Sequence, residues 1–219
     1  MMTKEQTEET KYPLRTSRRK KTHATIISVA ARLFQEHGYK NTTIQMIAER
    51  ANIHITTVFN HFSNKSDILE EIIRTNQEYM RADIENAIGK KLFFPFVREL
   101  SIKNSRAQSG NHKVYDPADG PAGIFLWEDP VATVIWLEYE LEKGKLLARF
   151  FADENGMDID RDLEPCLVSS MLTYGTIEVF QKWRKDPLQT NLENETLAMV
   201  DTVEALVHGK SIIQRKPLL

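Results

Sequence analysis

Apolar residues recur three and four apart along most of this chain, and nowhere do they alternate long enough with polar ones to make a sheet. The pattern predicts an all-α protein. A first helix runs to about His37. Ile27, Ala30, Ala31 and Phe34 fall at helical spacing with Ile26, Val29 and Leu33 alongside, and Gly38 supplies a left-handed cap. Thr42 and Gln45 stand as N-cap and third residue of a short second helix, and Asn64 with Asp67 repeats that device at the start of a long fourth helix, about Lys65 to Gly89. Segments 95–107, 130–152, 160–185 and 191–208 also read as helices, and the Gly/Pro-rich stretch SGNHKVYDPADGPAG lies between the first two of them.

Between Thr42 and Lys65 the apolar positions hold two short helices across a tight turn. Ile44, Ile47 and Ala48 share a face of the first, and Val58 and Phe62, four apart, share a face of the second. Ala48 is small enough for a helix crossing, Ile53 plugs the space between the helices, and Asn52 stands where the turn needs positive φ. The outward face of the second helix is then Ile55, Thr56, Thr57, Phe59, Asn60 and His61. It is short or polar, without formal charge, and suited to a DNA major groove. The arrangement implies a helix-turn-helix.

Charge supports that reading only when it is resolved along the chain. The net charge of 219 residues is −2, but residues 1–65 carry 11 Lys and Arg against 5 Asp and Glu, and the remainder 18 against 26. A basic N-terminal piece on an acidic body fits a DNA reader attached to a domain with another task. Residues 1–16 read as a mobile basic arm, 17–64 as the DNA-binding domain, and 65–219 as a helical regulatory and dimerisation domain. The cluster Arg18, Arg19, Lys20, Lys21 is placed for phosphate contact. Cys166, the single cysteine, excludes an internal disulfide and reads as a small buried hydrophobe in an apolar helix. No segment approaches the ~20 apolar residues of a membrane span, so the expectation is a cytoplasmic protein with no membrane partner.

Catalytic and metal chemistry find little footing. His54 and His61 lie seven apart with no zinc-protease spacing. A calcium loop starting at Asp158 would have Leu163 where the turn glycine belongs and Ser169 where the bidentate Glu belongs. Asp160, Asp162 and Glu164 instead suit a helix N-terminus, where the macrodipole favours negative charge. No cofactor, no metal and no enzyme activity are expected.

Residues 24–69, ATIISVAARLFQEHGYKNTTIQMIAERANIHITTVFNHFSNKSDIL, resemble the N-terminal domain of TetR-family transcriptional regulators. The shared signature is a helix ending in LF…GY, then TT…IA…A, then TVFNHF, then a Lys before the long helix. The resemblance implies that Thr42 and Thr43 touch phosphate, Gln45 points to the groove, and Thr56, Thr57 and Asn60 face base edges. It also implies that Phe59 and His61 lie against the sugar-phosphate wall, and that Lys65 clamps a phosphate. Two positions depart from the family pattern: Phe59 replaces a Tyr, which removes a phenolic phosphate contact, and Asn52 replaces the turn Gly.

For the body, the resemblance implies a small-molecule pocket, for which Trp127, Trp136, Tyr139, Phe150 and Tyr174 are the candidate lining, and a dimer built from the last two helices. Leu167, Met171 and Tyr174 on one helix, and Val200, Val203 and Val207 on the other, are the expected interface. The reading as a whole is a homodimeric repressor on a palindromic double-stranded operator, modulated by a small apolar or aromatic ligand. The alternative is a ligand-independent or quorum-type global regulator.

Overall fold

The computed structural model describes residues 13–108, 129–186 and 189–209. Eight helices occupy these residues: α1 (Pro13–His37), α2 (Ile44–Arg50), α3 (Ile55–Phe59), α4 (Lys65–Ala87), α5 (Phe93–Gln108), α6 (Pro130–Asn155), α7 (Glu164–Lys185) and α8 (Leu192–Val207). The protein is all-α, with an N-terminal helix-turn-helix unit followed by a larger helical body. Of the expected mobile arm, residues 13–16 already belong to α1, and Pro13 fits there because a first helical residue has no intrahelical use for an N–H.

The helix ends follow local chemistry. Gly38 (φ 80°) closes α1 through its N–H to the Phe34 carbonyl. Asn52 adopts φ 54°, and behind it the Ile53 N–H reaches the Ala48 carbonyl while the Asn52 N–H reaches Glu49. That pair of bonds is a Schellman closure of α2, and it explains why a residue tolerant of left-handed backbone stands between the two short helices. Asn64 caps α4 by accepting the Asp67 N–H at 3.0 Å, and the Asp67 carboxylate accepts the Ser63 N–H in return.

The long α4 joins head to body. Ile68, Ile72, Asn76, Met80 and Ile84, four apart in sequence, form one buried stripe, with Leu69 and Ile73 beside it. The helix packs against α1 in the head and α6 in the body. In turn α6 lies against α7, α7 against α8, and α8 against α5. The start of α5 is fixed to α6 by an aromatic cluster in which Phe93 meets Phe150 and Phe151 edge-on at 5.5 and 5.2 Å.

Several expectations for the body need correction. Cys166 is exposed, because it falls on the outer side of α7 with Leu167. Val200 is fully buried and Val203 nearly so, so these two valines stabilise the protomer and present no surface to a partner, while Val207 is half-buried against the same core. Trp136, Tyr139 and Phe150 are core residues, whereas Tyr174 is 64% exposed on the far side of α7. They do not converge on one pocket. Trp127 and the stretch 109–123 lie outside the described residues.

Candidate nucleic-acid interface

The recognition helix is only five residues, and its orientation comes from what surrounds it. Val58 is fully buried and Phe62 nearly so, which fixes the inner face. His54, Ile55, Thr56, Phe59 and Asn60 are exposed on the outer face, with Thr57 and His61 half-buried at its edges. Half of the Phe59 surface is open to solvent, beside the exposed Ile55 one turn earlier. Asn60 ends the helix in right-handed backbone and projects from its last turn.

The two threonines that open α2 have different tasks. Thr43 is the N-cap: it is exposed, and its Oγ1 accepts the Met46 N–H at 3.1 Å, which leaves its own proton available to a phosphate oxygen. Thr42 is buried. Its hydroxyl lies 3.0 Å from the Leu33 carbonyl and 2.8 Å from that of Gly38, and its N–H bonds the Tyr39 carbonyl. Thr42 therefore closes the turn after α1, and the expected phosphate contact and N-cap role do not fit its position. Gln45 is exposed and donates to Glu49, one turn along α2.

Lys65 also faces inward. Its ammonium donates to the carbonyls of Tyr39 (2.6 Å) and Thr42 (2.9 Å), stands 3.5 Å from that of Lys40, and lies 4.1 Å from the centre of the Tyr39 ring. Burial lowers its pKa from the ordinary lysine value, opposed by the Asp129 carboxylate at the start of α6. Burial likewise pushes the Tyr39 phenol up to about 12, with Asp129 the next contributor. The expected phosphate clamp is thus a clamp on the protein's own turn: three carbonyls leave the ammonium no proton for DNA.

A feature without a local sequence signal is the contact between α1 and the end of the reading helix. His23 stacks on Phe62 at 4.7 Å and stands 5.6 Å from His61, while its Nε2 is 3.7 Å from Glu71 of α4. Burial, then His23 and Arg19, lower the His61 pKa. The turn of α1 before His23 exposes Arg18, Arg19, Lys20 and Lys21 to solvent. Arg50 holds Glu36 through two bonds, at 3.2 and 2.8 Å, tying α2 to α1.

This unit falls within residues 26–72, which match the profile of bacterial regulatory proteins of the tetR family. The chain belongs to the TetR family. It is similar to the transcriptional regulator TcmR of Streptomyces glaucescens, 26% identical over 197 residues that cover 88% of this chain and 86% of TcmR. It is also similar to the uncharacterised regulator YhgD of Bacillus subtilis, 32% identical over 69 residues covering 32% of this chain and 36% of that protein. Among solved structures, SmeT, the repressor of a Stenotrophomonas maltophilia multidrug efflux pump, matches in its triclosan complex at a TM-score of 0.66 and 19% identity, over 90% of this chain and 99% of SmeT. FadR, a fatty acid degradation regulator of Bacillus halodurans, matches at 0.63 and 20%, over 89% and 97%. The protein is accordingly a transcriptional regulator of the TetR family, and no helix among its described residues is long and apolar enough to cross a membrane.

Proposed function

We propose that this TetR-family regulator is a homodimeric repressor whose two recognition helices read the halves of a palindromic operator. The observation that carries the reading is the exposed, uncharged face of α3 on a head whose first helix exposes Arg18, Arg19, Lys20 and Lys21. In this reading the exposed or half-buried Thr56, Thr57 and Asn60 meet base edges, Ile55 and Phe59 meet thymine methyls and sugar, and Thr43 with Arg18 to Lys21 meet phosphates. Dimerisation rests on α7, where Leu163, Leu167, Met171 and Tyr174 form one exposed apolar stripe at spacings of three and four, with Cys166 beside it.

A ligand is the second part of the proposal. Among α5, α6, α7 and α8 lies a partly open cavity of about 30 Å³, with Lys143, Thr173 and Thr196 in its wall. The Thr173 hydroxyl is buried and has no hydrogen-bond partner among the described residues. Of the aromatic residues expected to line a pocket, Trp136, Tyr139, Phe150 and Tyr174 are not in its wall. SmeT, of the same fold, is known in complex with triclosan, which supports a small aromatic ligand here. The cavity has room for about one water, so a ligand of that size must part α5 from α7. Movement of α6 would reach the reader through α4, which packs against α6 in the body and α1 in the head.

The small volume also favours a second reading, a regulator without small-molecule input. Sequencing of genomic DNA recovered with the protein tests the first part, and an inverted repeat is the expected result. A thermal-shift screen separates the two readings, because a ligand at 100 times its dissociation constant adds about 2.7 kcal/mol to stability. A flat screen supports the ligand-independent regulator.

A further inference from the structure

The acidic run between Asp153 and Glu164 has no role in DNA reading. It borders a groove of about 580 Å³ at the end of the body distal in sequence to the reader. Phe94, Phe151 and Val168 form its floor, Met157 and Glu164 mark where the acidic loop borders it, and Leu92 and Leu206 stand at its rim, 65% and 44% exposed. Part of the acidic lining is already engaged: Glu154 accepts the Phe93 N–H, and Glu204 holds Arg98. Glu164 and, along the loop, Asp158, Asp160 and Asp162 are exposed, and within that loop the one cation is Arg161, 3.4 Å from Asp158.

The last described residues emerge into this groove. Leu206, Val207 and His208 all line it, and the chain turns at Gly209 (φ 68°). The ten residues that follow, KSIIQRKPLL, hold four large aliphatic side chains, Ile212, Ile213, Leu218 and Leu219. They also hold three cations, Lys210, Arg215 and Lys216, and no acid. Ten residues span at most about 36 Å, and the segment starts at the groove wall, so reach sets no obstacle.

We infer that residues 210–219 are the occupant of this groove, their aliphatic side chains on the Phe94, Phe151 and Val168 floor and their cations toward the acidic loop. Leu167 and Met171 belong both to the groove and to the α7 stripe. The docked segment therefore lies at the edge of the face we assign to the dimer, and the groove's occupant is the protomer's own chain. A second copy of the chain is the competing occupant.

The test uses the full chain with a nitroxide on Leu92→Cys in a Cys166→Ser background, and reads the isoleucine methyl resonances. The Ile212 and Ile213 methyls should lie away from random-coil positions and broaden with the label. In chains that also carry Arg215→Glu and Lys216→Glu they should return to random-coil positions and sharpen, with the circular dichroism of the body unchanged. Charge-conserving Arg215→Lys and Lys216→Arg should leave the parent spectrum intact. Methyls at random-coil positions in the parent, or broadening that survives the charge reversal, would overturn the assignment. So would broadening seen only between a spin-labelled chain and a separate isotope-labelled one, because the occupant would then be the second copy.

Discussion

At the scale of single residues, a lysine before the long helix can serve DNA or the fold, and its hydrogen bonds decide. Lys65 donates to the Tyr39 and Thr42 carbonyls. Lys65→Ala should therefore cost about 1.5–3 kcal/mol of stability, the range for hydrogen bonds to a charged group. It should leave the slope of log affinity against log salt unchanged. A phosphate contact would lower that slope by about 0.9 per subunit, so melting curves and a salt titration of DNA binding together distinguish the roles. Asn60 is the contrasting case, exposed at the end of the reading helix with no structural duty of that kind. Asn60→Ala should relax preference at one operator position per half-site by about 1–3 kcal/mol, the worth of a bidentate amide–adenine contact. A randomised-operator selection checks it, and an unchanged preference at every position would remove Asn60 from the reading set.

At the scale of elements, the reading helix is too short to hold itself and borrows rigidity from α1 and α4. One joint is pH-sensitive. The His61 pKa lies below the ordinary 6.5 because of burial and the neighbouring His23 and Arg19, with Glu71 the acid on the far side of His23. A lowered value means that the unfolded chain takes up the proton first. The contribution of neutral His61 is thus fully present above about pH 6.5 and is lost as pH falls through the lowered folded value. Melting temperature should drop between pH 7.5 and 5.5, and His61→Gln should flatten that drop.

A second element-scale feature is the buried pair on α6. Lys143 Nζ lies 2.5 Å from Glu140 Oε2, with both side chains 8% exposed. Lys143→Met strands a buried carboxylate and should cost about 3–5 kcal/mol. The double change Lys143→Met with Glu140→Gln should recover most of that in a denaturant titration, and a non-recovering double variant would show that Lys143 acts through packing alone.

At the scale of the whole molecule, the proposed function needs two copies. Leu167→Glu with Met171→Glu places two carboxylates per protomer on the α7 stripe, away from the buried valines of α8. Light scattering should then give a monomer. Its binding should fall to the non-specific level, since a single reader cannot span half-sites about 34–36 Å apart. Operator affinity equal to the parent's would place the dimer elsewhere.

What the sequence by itself determined about this protein was whatever depends on neighbours in the chain. Helix spacing, the Gly38 and Asn52 left-handed positions and the Asn64 cap follow from short-range sterics and hydrogen bonds, and so the all-α class and the helix-turn-helix were legible. The basic head on an acidic body needed only counting. Tertiary structure decided which face of an apolar helix meets the core, because helices hydrophobic on several sides carry no mark of which side is inside. Hence Val200 and Val203 went inward while Cys166, Leu167 and Tyr174 stayed out. It also decided what long-range partners do with polar groups. Thr42 and Lys65 look like phosphate ligands until Leu33, Gly38 and Tyr39 supply the carbonyls that hold them. His23 meets His61 across 38 residues of chain, a distance at which local pattern carries no information.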